Sequence, residues 1–174
     1  MTARIAALVL LPVTLLLLTG CATDPAQGYT TASCFPTEYR TVAVPIFTND
    51  TYERGMEYGL TQAVIKEIES RTPYKVVSQA RADTTLVGRI RRIDREQLSK
   101  SRRTGLTEEM LLRVTIDFEW KDLRTNKAIV QRLSFTGHGL FVPSNPTGEP
   151  LELGQFAVAQ TLAEDIVDEM RADW

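Results

Sequence analysis

The chain has 174 residues, with 20 lysines and arginines against 22 aspartates and glutamates, so its net charge is −2. That balance excludes a globally basic nucleic-acid binder, and the length suffices for one domain with its own core. Two cysteines and a single histidine are too few for a disulfide framework or for a metal centre built on Cys and His.

At the start of the chain, Arg4 precedes an apolar run over residues 5–18 that Pro12 interrupts. The run falls short of the ~20 residues needed to cross a bilayer core, and its layout is that of an export signal covering residues 1–20. It ends in "LLLLTGCATD" at residues 15–24, where Leu18-Thr19-Gly20-Cys21 resembles the lipobox of bacterial lipoproteins. The resemblance implies that the Cys21 thiol carries a diacylglycerol and that Cys21 opens the mature chain. Two or more acyl chains hold a protein stably on a membrane, where one holds it only marginally. Ala22, standing where an aspartate would retain such a protein at the inner membrane, implies the outer membrane, on its periplasmic side. Removing residues 1–20 leaves 154 residues, a net charge of −3 and Cys34 as the only other cysteine.

Residues 21–39, "CATDPAQGYTTASCFPTEY", are small and polar with two prolines and no regular period. They read as a tether between the anchor and a domain over residues 40–174. In "RTVAVPIF", Val42, Val44 and Ile46 alternate with Thr41, Ala43 and Pro45, which predicts a strand that stops at a sheet edge or turn near the proline. The period then changes. Met56, Leu60, Val64 and Ile68 recur every four residues and predict an amphipathic helix, with Asn49, Asp50 or Thr51 as its cap and Glu53 in its first turn.

A short strand follows at residues 74–78, and a longer one starts near Thr84, with Leu86, Gly88 and Ile90 on one face. In "EEMLLRVTIDFEWKDL" the alternation is clearest. Met110, Leu112, Val114, Ile116, Phe118 and Trp120 face a core, while Glu109, Arg113, Thr115, Asp117 and Glu119 face water. "DLRTNK" turns the chain with Asn126 in the left-handed position, and the returning strand places Ile129, Leu133 and Phe135 on one face. The last element is a helix with Phe156, Ala159, Ala163, Ile166 and Met170 as its stripe. The order β-α-β-β-β-α predicts an α+β fold, a two-layer sandwich of about four mostly antiparallel strands with both helices on one face.

These segments are similar, in order and spacing, to the LptE family of lipopolysaccharide-assembly lipoproteins. The likeness rests on Gly28-Tyr29 soon after Cys21, "VAVPIFTNDTYERGMEYGLTQAVIKEI", "ADTTLVGRI", "WKDLRTNKAI" and "QFAVAQTLAEDIVDEM". Two departures stand out. The linker after Gly28-Tyr29 is irregular and holds Cys34, and the family's Thr-Gly-Lys turn is here Thr125-Asn126-Lys127. The resemblance implies a non-catalytic protein that plugs and assembles with an LptD-like outer-membrane β-barrel, and that in some members binds lipopolysaccharide directly. A periplasm-facing lipoprotein accessory of another secretion or transport complex is the alternative reading.

Motifs for catalysis are missing: there is no Gly-x-Ser-x-Gly elbow, no phosphate-cradling glycine loop and no His-Glu-x-x-His. His138 lies between two glycines, far in sequence from either cysteine, and no cofactor is expected. The informative charges are in "GRIRRIDREQLSKSRRTG". Arg91, Arg92, Arg95, Lys100, Arg102 and Arg103 either guard a solvated strand edge against pairing or grip phosphate and carboxylate groups of lipopolysaccharide or of a barrel wall. No base-stacking aromatics are interleaved with them, which argues against single-stranded nucleic acid.

Overall fold

A computed structural model of the chain describes residues 34–100, 102, 105, 107–143 and 148–171. The elements run β1 (Thr41–Ala43), β2 (Thr48–Asn49), α1 (Met56–Arg71), β3 (Lys75–Val76), a 3-10 turn (Gln79–Arg81), β4 (Thr84–Lys100), β5 (Thr107–Asp122), β6 (Ala128–Phe141) and α2 (Leu151–Glu169). They form one six-stranded sheet in the order β3-β1-β4-β5-β6, with β2 also pairing against β4. The α+β class is as the sequence predicts; the sheet has six strands instead of about four, because the strand read across Pro45 is two, β1 and β2, while the short strand expected at residues 74–78 is present as β3.

Pairing type divides the sheet. β1 and β2 follow one another along the same edge of β4, both parallel to it, and β3 adds parallel to β1. β4, β5 and β6 form an antiparallel meander of long strands; the 17 residues of β4 span about 55 Å at the usual strand rise. The proline-interrupted strand is therefore two pieces. Pro45 falls between β1 and β2, where a missing N–H breaks no ladder, and Val42 and Ala43 are both buried because β1 is an interior strand.

Both helices cover one face. Met56, Leu60, Ala63, Val64 and Ile68 of α1 and Val158, Leu162, Ile166 and Met170 of α2 pack onto Leu86, Ile90, Leu112, Val114, Ile116 and Trp120 of the sheet. The helices run parallel to each other: Glu53 just before α1 meets Gln155 early in α2 at 3.4 Å, and Arg71 at the end of α1 meets Asp168 at the end of α2 at 2.5 Å. α2 lies close on β6 because the strand presents glycines. A Cβ on Gly137 would fall 2.4 Å from Leu162, and one on Gly139 would fall 2.9 Å from the backbone of α2.

Three local expectations fail for identifiable reasons. No side chain caps α1: its first turn follows Gly55 at φ +96°, and Asn49 instead ties up the loop, its amide donating to the Glu53 carbonyl and the Glu57 carboxylate, both at 2.7 Å. Phe156 is 63% exposed, not part of the buried stripe, because Val158 and Leu162 take the positions above the β6 glycines. Leu133 and Phe135 do not share a face. Leu133 is 70% exposed while Phe135 packs edge-on against Phe118, because β6 bulges at Ser134, φ +54°. Asn126 does hold the left-handed turn position, φ +55°.

Phe35 and Tyr39, within the stretch read as tether, pack into the core. Phe35 stacks edge-on against Tyr74, Tyr39 against Trp120, and the Tyr74 hydroxyl donates to the Pro36 carbonyl at 2.9 Å. Burial pushes the Tyr74 phenol far above its ordinary value. Cys34 is a free, half-buried thiol against this cluster.

Candidate functional site

The helices leave the other sheet face uncovered, and the basic segment runs along it. Up to Ile90, alternation on β4 sends Leu86 and Ile90 to the core, while Val87 and Arg89 take the open face opposite Glu119 and Asp117 of β5. Then the register slips. Ile90 pairs with Ile116 and Arg92 with Thr115, so Arg91 is an extra residue in β4. A bulge inverts the parity of everything that follows. Arg92, Asp94 and Glu96 now take the open face, and Arg95, opposite buried Leu112, turns to the helix side and pairs with Glu53.

The predicted basic cluster is thus divided. Arg91 and Arg92 stand together on the open face, Arg95 lies on the other, and Lys100 and Arg102 are exposed at the β4–β5 hairpin some 30 Å or less along the strand by its rise. Arg103 and Cys21 lie outside the described residues. Among the described residues, Arg92, Lys100 and Arg102 have no carboxylate partner.

Carboxylates meet the remaining arginines. Asp50 Oδ2 accepts from Arg89 Nη1 at 3.4 Å and from Arg91 Nη1 at 3.0 Å. Arg91 Nε faces Asp117 Oδ2 at 3.2 Å, and Asp117 Oδ1 accepts the backbone N–H of Ser134 at 2.8 Å. Asp117 thereby holds two bulges at once, Arg91 on one neighbouring strand and Ser134 on the other. The result is a trough of about 780 Å³, lined by Arg91, Arg92, Asp50, Asp117 and the hydroxyls of Thr115, Ser134 and Thr136, with exposed Leu133 at its edge. Farther along the face, Arg113 Nε donates to His138 Nε2 at 3.2 Å, and its Nη2 meets Glu96 at 3.4 Å.

Such a surface suits a ligand with phosphates, sugar hydroxyls and some apolar area. Guanidinium forks match phosphate oxygens, and three hydroxyls can both donate and accept. Sequence reading marks Arg91 and Arg92 but misses Asp50, which it takes for a helix cap, and Ser134. The available signal for Asp117 is its place on the wet face of β5, two residues from Glu119. Among the described residues no group of three metal-ligating side chains occurs, and no helix is long and apolar enough to cross a membrane.

No curated protein matches the sequence. Solved structures share the fold. The PelC dodecamer from Paraburkholderia phytofirmans is 18% identical over 82% of this chain and 96% of its own, with a TM-score of 0.50. The protein CT253 from Chlamydia trachomatis is 11% identical over 75% of this chain and 94% of its own, with a TM-score of 0.53. The family profile for LptE, described as lipopolysaccharide-assembly, matches residues 39–174. That span takes in every strand and both helices, and the chain belongs to the LptE family.

Proposed function

We propose that this chain is a non-catalytic, lipid-anchored protein of the outer membrane, facing the periplasm, that assembles with and plugs an LptD-like β-barrel delivering lipopolysaccharide to the cell surface. The family match over residues 39–174 carries this reading. The export signal and lipobox ending at Cys21 supply the address and the anchor. The open face with Arg91 and Arg92 supplies a surface for a phosphorylated glycolipid or for acidic groups of a barrel lumen, and the exposed Lys100 and Arg102 add positive charge at the β4–β5 hairpin. Attraction between exposed basic side chains and polyanions speeds their encounter and weakens with added salt.

Two measurements on native envelopes test the proposal. Mass spectrometry of the purified chain is expected to find Cys21 as an acylated N-terminus. A photo-crosslinking side chain placed at Arg102 or at Thr115 is expected to trap a large outer-membrane barrel, the glycolipid, or both. Capture of a secretion-channel subunit instead, or an unmodified Cys21, overturns it.

A further inference from the structure

Resting on the reading of the open face as a phosphate-binding surface, a second role falls to Asp50. The trough sets two guanidinium groups, Arg91 and Arg92, against two carboxylates, Asp50 and Asp117, and Arg89 reaches Asp50 from beside it. The two carboxylates are held differently. Asp117 sits in the middle strand of the meander, 26% exposed, with one oxygen on the Ser134 N–H and the other on Arg91, so moving it would undo a bulge. Asp50 follows the two-residue strand β2, is 41% exposed, and touches the arginines through one oxygen alone. Its backbone N–H is fastened separately to the Ile90 carbonyl at 3.0 Å. The side chain can therefore swing away without loosening the strand.

We infer that Asp50 is an internal competitor for anions: it occupies the guanidinium groups of Arg89 and Arg91, and a phosphate-bearing ligand enters by taking its place. Arg92, which has no carboxylate partner among the described residues, offers the first contact. Exchange of Asp50 then frees the donors of Arg91 for a second. Apparent affinity falls in proportion to the fraction of time the arginines are available, so Asp50 keeps binding weak and release fast. A site through which a glycolipid passes needs both.

The test uses the full chain in nonionic-detergent micelles and a fluorescent diphosphorylated glycolipid, lipid A, with binding and dissociation followed by anisotropy. An exposed carboxylate pair of this kind is worth at most about a fivefold change in affinity, and Asp50→Asn is expected to bind up to that much more tightly, with slower release and an unchanged thermal midpoint. Asp50→Ser, which also removes the charge, is expected to do the same. Phosphatidylglycerol, with a single negative charge, is expected to gain less than the doubly charged glycolipid. If both Asp50 variants bind as the parent does, or more weakly, while Arg91→Gln with Arg92→Gln lowers glycolipid binding, the role of Asp50 is overturned and the phosphate-binding face stands. Unchanged binding by the double arginine variant overturns the face itself.

Discussion

Asp83 joins two strands through a single carboxylate oxygen. Its Oδ2 accepts the backbone N–H groups of Arg40 and Thr41, both at 3.1 Å, and the Thr41 hydroxyl at 2.9 Å. Its own N–H donates back to Thr41 Oγ1 at 2.9 Å, so β1 and the start of β4 are fastened side chain to main chain at the point where their pairing begins. These donors, the Arg40 N–H above all and then the Thr41 hydroxyl, hold the Asp83 carboxyl below its ordinary value of 3.8. A depressed carboxyl stabilises the fold above the unfolded value, and that contribution is lost as pH falls through the folded value. Asp83→Asn is therefore expected to lower stability by about 1–2 kcal/mol at neutral pH. Urea midpoints measured below pH 4 are expected to show the gap closing. A difference that stays constant with pH would assign the effect to shape and not to charge.

Elements meet closely where β6 passes under α2. At Gly137 an added Cβ would meet the end of Leu162, a side chain that can turn, whereas at Gly139 it would meet Gly154 O and Val158 N of the helix backbone. Gly139→Ala should consequently cost about 1–3 kcal/mol in chemical denaturation, and Gly137→Ala less. Equal costs would mean that the helix yields as easily as a leucine rotamer. The same strand shows where sequence reading stops. β5 is legible throughout, because it lies between two partners with one face covered, and its alternation from Met110 to Trp120 is unbroken. β6 is not legible, since irregularities at Ile129 and at Ser134 each reverse the faces, and Val130 and Arg132 stand opposite Trp120 and Phe118 of the core face. Nothing in "QRLSFTG" announces a non-glycine residue at φ +54°; the Asp117 carboxylate that secures it is 17 residues away.

At the scale of the whole molecule, the basic segment is visible in composition and its division is not. Seeing that Arg95 leaves the open face requires the bulge at Arg91, and seeing that Arg91 is engaged requires Asp50, 41 residues earlier. The boundary of the domain shows the same dependence on distant contacts. Phe35 and Tyr39 look like linker residues around Pro36, yet they complete an aromatic cluster with Tyr74 and Trp120. A chain starting at Arg40 is expected to be less stable than one starting at Cys34 by about 3 kcal/mol or more, the usual cost of deleting a buried aromatic side chain. Thermal melts of the two would decide it, and coincident curves would show that the cluster holds without its N-terminal half.

Among the described residues, β4 has no neighbour on its outer side past Asn49, and past Phe141 the ribbon narrows to β4 and β5 alone. Narrow ribbons twist more than broad sheets, and each inserted residue adds to the rotation. The irregularities at Leu98 and between Ser99 and Lys100 therefore act like adjustable joints in a boom. Shifting one of them by a residue would re-aim the far end of the ribbon and leave the packed base, whose last cross-strand pair is Met110 with Phe141, untouched.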